Sequence, residues 1–194
     1  MTSSSTPCTD PSQPRLAVAR GLARGSLAWA TLRTLMAGLF LMVCWLVPLD
    51  RVAADALSSA NAAFARGDYV RVVKLLSPLA FLGNAEAQAF LGYMFENGYG
   101  APQVYVTAAD LYNQAAIRGN PFGQAMLGLM YDKGHGVPQD FVLAYKWLNL
   151  AAARSPKRER DYFIRLRNAV ASKMSREQIA EGQRLAMAWA VGLP

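Results

Sequence analysis

Residues 85–120 and 121–156 align without a gap, and 15 of the 36 positions are identical. One copy contains LGYMFENGYGAPQ (91–103) and the other LGLMYDKGHGVPQ (127–139). A helix pair of this length cannot bury its apolar face alone, so recurrence at this spacing predicts stacked helix pairs. The expected fold is all-α, a short solenoid of antiparallel helix pairs. Such stacks present surfaces to partners, which narrows the kind of function and leaves the partner open.

Glycine and proline punctuate each copy. Gly92 and Gly128 fall inside a predicted helix, where glycine costs about 1 kcal/mol relative to alanine, so a neighbouring helix is expected to approach closely there. Gly98, Gly100, Gly134 and Gly136 predict turns, and Pro102 and Pro138 fix the chain before the second helix of each pair. Asp140 suits a helix start whereas Val104 does not, so the first copy should lose about 1 kcal/mol of capping.

The period extends beyond the two copies. Ala56, Ala60, Ala63 and Phe64 recur at helical spacing from Ala53 to the break at Gly67-Asp68. Val70, Val73, Leu76 and Leu79 predict a second helix ending at Gly83-Asn84. These two residues lie one period before Gly119-Asn120, so residues 55–84 form a shortened opening pair. After Pro156, residues 157–194 predict two closing helices, one with Phe163, Leu166 and Val170 on a single face. The other starts at a Ser175–Gln178 capping box and carries Ile179, Leu185, Ala186 and Trp189.

The N-terminus differs in kind. Residues 1–26 read as a disordered basic tail, rich in Ser, Thr and Pro before Arg15, Arg20 and Arg24. Residues 27–54 read as a signal-peptide apolar region or a membrane anchor, with 16 uncharged residues from Thr34 to Leu49. Val52 and Ala54 supply small residues for cleavage before Asp55. The run is shorter than the roughly 20 residues a spanning helix needs. Extending it backward buries Arg33 at about 2–3 kcal/mol unless that side chain snorkels. Both readings export the domain, either into the periplasm or tethered through residues 27–49 with the repeats outside the cytoplasm.

The net charge of +7 is unevenly placed: residues 1–54 carry +3, residues 55–153 carry −1 and residues 154–194 carry +5. The stretch Arg154–Arg176 could face an anionic lipid or an acidic partner, or be a solvated helix face. Nucleic acid is not an expected partner of an exported domain. Cys8 and Cys44 both precede the expected mature domain, which excludes disulfides and Cys-based metal sites there. His135, the only histidine, sits between turn glycines without companion ligands and reads as an exposed turn residue. The Gly-x-Gly pairs lack the preceding strand and the Lys-Ser/Thr of a phosphate loop. Tyr131 and Trp147 read as core. No catalytic, metal-binding or cofactor-binding residue is therefore expected, and no cofactor.

The spacing Leu-Gly-x-x-aromatic-x-x-Gly-x-Gly-x-Pro-Gln, followed by Ala144, Trp147, Ala151 and Ala152, resembles the Sel-one-like repeat (SLR) family, a relative of the tetratricopeptide repeat. Leu127–Ala152 follows the family pattern closely, while the first copy departs at Ala101, Val104 and Leu111, and Gly123 replaces the usual opening alanine of the second. The resemblance covers about residues 56–190. It implies a non-catalytic protein–protein interaction module, an adaptor, assembly factor or regulator in the bacterial cell envelope. The alternative it leaves is a small-molecule binder or enzyme of the β-lactam-binding type seen among cysteine-rich relatives, but this domain lacks Cys pairs and a Ser-x-x-Lys run. It also implies that the first helix of each pair lines a binding groove for a protein or peptide. With Leu91, Gly92 and Phe95 facing the stack, the groove candidates are Glu86, Tyr93, Glu96 and Asn97, then Phe122, Leu129, Asp132 and Lys133.

Overall fold

The computed structural model describes residues 49–192. Among the described residues all regular structure is helical, in eight helices: α1 Leu49–Ala65, α2 Tyr69–Phe81, α3 Ala85–Asn97, α4 Tyr105–Ile117, α5 Pro121–Lys133, α6 Phe141–Arg154, α7 Lys157–Ala171 and α8 Arg176–Ala190. The expected tail, and residues 27–48 of the expected signal or anchor, lie outside the described residues. Among those described, no helix is long and apolar enough to cross a membrane.

Local chemistry sets the helix ends. Asp68, Asn84, Asn120, Asp140 and Ser175 each accept a hydrogen bond from a main-chain N–H two or three residues on, which satisfies an orphan donor of the first turn. Val104 makes no such bond, as its side chain dictates. Ser175 and Gln178 form the expected reciprocal capping box. One boundary needs correction: α1 begins at Leu49 rather than near Ala53. No breaker lies between Pro48 and Gly67, so the helix extends beyond its apolar stripe into the last six residues of the expected signal or anchor.

Each helix packs chiefly on its neighbours in sequence, α1 on α2 through to α6 on α7, while α8 returns to lie on α6. The cores follow the stack: Leu76 and Met94 in the first pairs, then Tyr112, Leu127 and Trp147, then Leu148, Phe163 and Val170. Fully burying each large side chain stabilises the stack by about 1.5–3 kcal/mol. Gly92 and Gly128 are where helices touch: a Cβ at Gly92 would lie 2.9 Å from the Tyr112 ring, and one at Gly128 would lie 2.8 Å from Leu148 Cγ. Gly123 stands in for alanine for the same reason, since a Cβ there would lie 2.6 Å from that of Ala115.

Conserved-in-repeat polar residues tie the pairs together. Gln103 and Gln139 donate to the carbonyls of Glu96 and Asp132, both at 2.7 Å, and so close the last turns of α3 and α5. Gln88 and Gln124, buried at matching positions, donate to the carbonyls of Ala80 and Ala116 at the ends of α2 and α4. Each of these carbonyls also accepts from a main-chain N–H, Ala80 from Gly83 and Ala116 from Gly119, so the buried amide fills the second lone pair of a helix-end oxygen.

Candidate functional site

The odd-numbered helices share one face, and a cavity of about 590 Å³ opens on it. Phe64 of α1, Phe90 and Tyr93 of α3 and Phe122 of α5 provide its aromatic lining. Phe90 and Tyr93 are three residues apart, which puts both on one side of α3. Phe64 meets Phe90 edge-on with ring centroids 5.5 Å apart, and Tyr93 lies 6.1 Å from Phe64 and 6.4 Å from Phe122. Such tilted and edge-on pairs hold one another in place. Burial first, then the neighbouring Tyr99 and Glu96, raise the Tyr93 phenol above its ordinary pKa.

The rim is polar and carries acid. Glu86 sits in the first turn of α3 and Glu159 in the first turn of α7, both exposed. Asn61 and the α5 cap Asn120 complete the polar lining, with Pro121 and Pro156 beside them. Every lining residue belongs to an odd-numbered helix or to its N-cap. The first turns of α3, α5 and α7 thus all line the cavity.

Of the eight groove candidates, the cavity brings together Glu86, Tyr93 and Phe122. Glu96 instead turns toward α4 and accepts a 2.8 Å hydrogen bond from the Tyr112 hydroxyl. Asn97 donates to the Tyr93 carbonyl of its own helix. Leu129, Asp132 and Lys133 do not line the cavity: Leu129 is half-buried, and Asp132 pairs at 2.7 Å with Lys173, which follows α7. The closing segment thus engages Asp132, whereas the matching Glu96 of the first repeat is held by Tyr112 of its own pair. Phe64 and Phe90 were missing from the sequence reading of the groove. The three-residue spacing of Phe90 and Tyr93 was a usable signal for one of them, whereas Phe64 followed the same periodicity as core residues.

Other sites weighed from the sequence resolve into packing. Trp147 is buried and meets Trp189 edge-on at 5.8 Å. The basic face of α7 is partly engaged: Arg167 donates to Asn149 at 3.0 Å, and Arg160 donates to the Ser155 carbonyl at 3.2 Å. Among the described residues no group of three or more His, Cys, Asp or Glu could hold a metal ion.

Comparison with known proteins agrees with this geometry. Residues 85–120 and 121–156 each match the Sel1 repeat. No curated protein matches the chain. Among solved structures, a protective antigen present in uropathogenic Escherichia coli strains, displaying an SLR fold, matches with a TM-score of 0.66 and 24% identity. The match covers 72% of this chain and 30% of the antigen. A Sel1 repeat protein from Oxalobacter formigenes is 29% identical over 50% of this chain and 40% of its own, with a TM-score of 0.47. The chain therefore spans less than half the length of either.

Proposed function

We propose that this chain, two of whose helix pairs match the Sel1 repeat, is a non-catalytic interaction module, an adaptor, assembly factor or regulator, that receives a protein partner on the face of its odd-numbered helices. Sel1 repeats are protein-interaction scaffolds. The observation that carries the reading is the cavity of about 590 Å³, whose walls come from four successive odd-numbered helices. A site assembled across repeats suits a chain segment laid along the stack better than a reaction centre. Its polar groups, two carboxylates with two amides and a phenol, include no nucleophile paired with a base.

Residues 27–54, on this proposal, direct the repeats out of the cytoplasm into the bacterial cell envelope. The support is the order of basic stretch, apolar run and small residues before Asp55. Residues 49–54 belong to α1, so cleavage there would leave the helix starting at Asp55 with Ala56 and Leu57 still in the core. Mass spectrometry of the protein from fractionated cells tests both halves of the reading. A mature N-terminus at Asp55 marks a cleaved signal and an intact chain in the inner membrane marks an anchor; intact chain in the cytosol overturns export. Site-specific crosslinking from position 122 tests the binding face, and it fails if no adduct forms in cells.

A further inference from the structure

Charge and ring chemistry at the cavity select the kind of partner. Four aromatic side chains line it, together with two carboxylate side chains, Glu86 and Glu159. No Lys or Arg lines it. Among the described residues neither carboxylate takes part in a salt bridge. The nearest basic residues in sequence, Arg158 and Arg160, flank Glu159 on α7, and Arg160 is turned to the Ser155 carbonyl. Both carboxylates lie in first turns, where they also favour the helix dipole; their exposure leaves them open to an incoming charge.

Aromatic faces carry negative electrostatic potential and attract ammonium and guanidinium groups, while the ring area rewards burial of apolar side chains. Carboxylates at the rim add attraction for a cation and repel an anion. From this complementarity we infer that the cavity receives a cationic polypeptide segment of a partner, with a Lys or Arg beside a bulky apolar side chain. The apolar group enters between Phe90, Tyr93 and Phe122, and the positive group lies at the Glu86–Glu159 rim. The inference rests on the reading of this face as the partner site and specifies its chemistry.

The test is a random peptide library displayed on phage and selected on the immobilised full chain. The expected binders carry Lys or Arg next to Leu, Phe or Trp. Their affinity falls about fivefold in the Glu86→Gln/Glu159→Gln variant, the size expected for two exposed ion pairs, and falls further with added salt. Both carboxylates are exposed, so this variant keeps the fold, which circular dichroism verifies. Binders that lack a basic residue, or that ignore the glutamate changes while being lost in Phe122→Ala, overturn the cationic inference and leave the partner site standing. A library without binders, or binders indifferent to Phe122→Ala, removes both. Self-association of the full chain that is abolished by Glu86→Gln/Glu159→Gln would assign the cavity to the chain's own arginine-bearing residues 15–33, and would overturn the inference of a foreign partner.

Discussion

The ring of His135 lies against that of Tyr105, with centroids 4.6 Å apart and planes inclined by 34°. One period earlier Tyr99 stacks on Tyr69 at the same 4.6 Å, inclined by 13°. The loop residue after the first helix of one repeat thus covers the start of the second helix of the repeat before it. His135 is half-buried by this contact rather than an exposed turn residue. Its role is that of a flat ring, which Tyr99 fills in the other copy.

The same contact predicts which glycine cannot be replaced. Gly136 adopts φ +70°, and a Cβ there would overlap the main-chain carbonyl of Tyr105. Gly67 has a similar φ of +76° but nothing within 4 Å of the added carbon. Gly67→Ala should cost about 1 kcal/mol, the left-handed penalty alone. Gly136→Ala should cost about 3 kcal/mol or more, because the backbone of α4 must also shift. Chemical denaturation of both variants checks the difference, and equal costs would mean that the two repeats are not in contact at this loop.

The buried Tyr112 makes the fold sensitive to alkali. Burial first, then the Glu96 carboxylate that accepts its hydroxyl hydrogen bond, raises its pKa far above the ordinary value. The unfolded chain ionises this phenol near pH 10, whereas the folded chain holds the proton. Its stabilising effect is therefore complete below about pH 10 and is lost as pH rises beyond it. Thermal melts should fall steeply above that pH. Tyr112→Phe should cost about 1 kcal/mol at neutral pH and make the alkaline decline shallower. An unchanged alkaline slope would show that another group controls it.

A gain of stability is available at position 104. Val104 and Asp140 have similar main-chain geometry, with φ of −137° and −151° and ψ of 98° and 106°. Both donate through the main chain to the helix before, to Phe95 and Tyr131 respectively. Asp140 also accepts from the N–H groups of Val142 and Leu143, and Val104 cannot. Val104→Asp should stabilise the domain by about 1 kcal/mol. A melting temperature that stays level or falls would indicate that the apolar contact of Val104 outweighs the cap.

Much of the fold is legible residue by residue. The 36-residue period, the cap residues, the turn glycines and the small residues at Gly92 and Gly128 act over one or two turns of chain, and sequence periodicity reports such local constraints directly. The candidate site was legible only on α3 and at the start of α5. Glu86, Tyr93 and Phe122 follow from helix register, because register assigns a face within a single helix.

What the sequence alone determined, then, is the unit and its repetition: helix pairs, their ends, and the positions where one helix must lie close on the next. Only the tertiary structure decided how the units close. Lys173 reaches Asp132 across 41 residues, and α8 lies on α6, so the closing segment ties down Asp132 while Phe122 stays at the cavity. Phe64 and Glu159, nearly a hundred residues apart in sequence, meet at one cavity for the same reason. Contacts between distant elements depend on the accumulated angles of every helix crossing between them, and no local pattern of side chains encodes that sum.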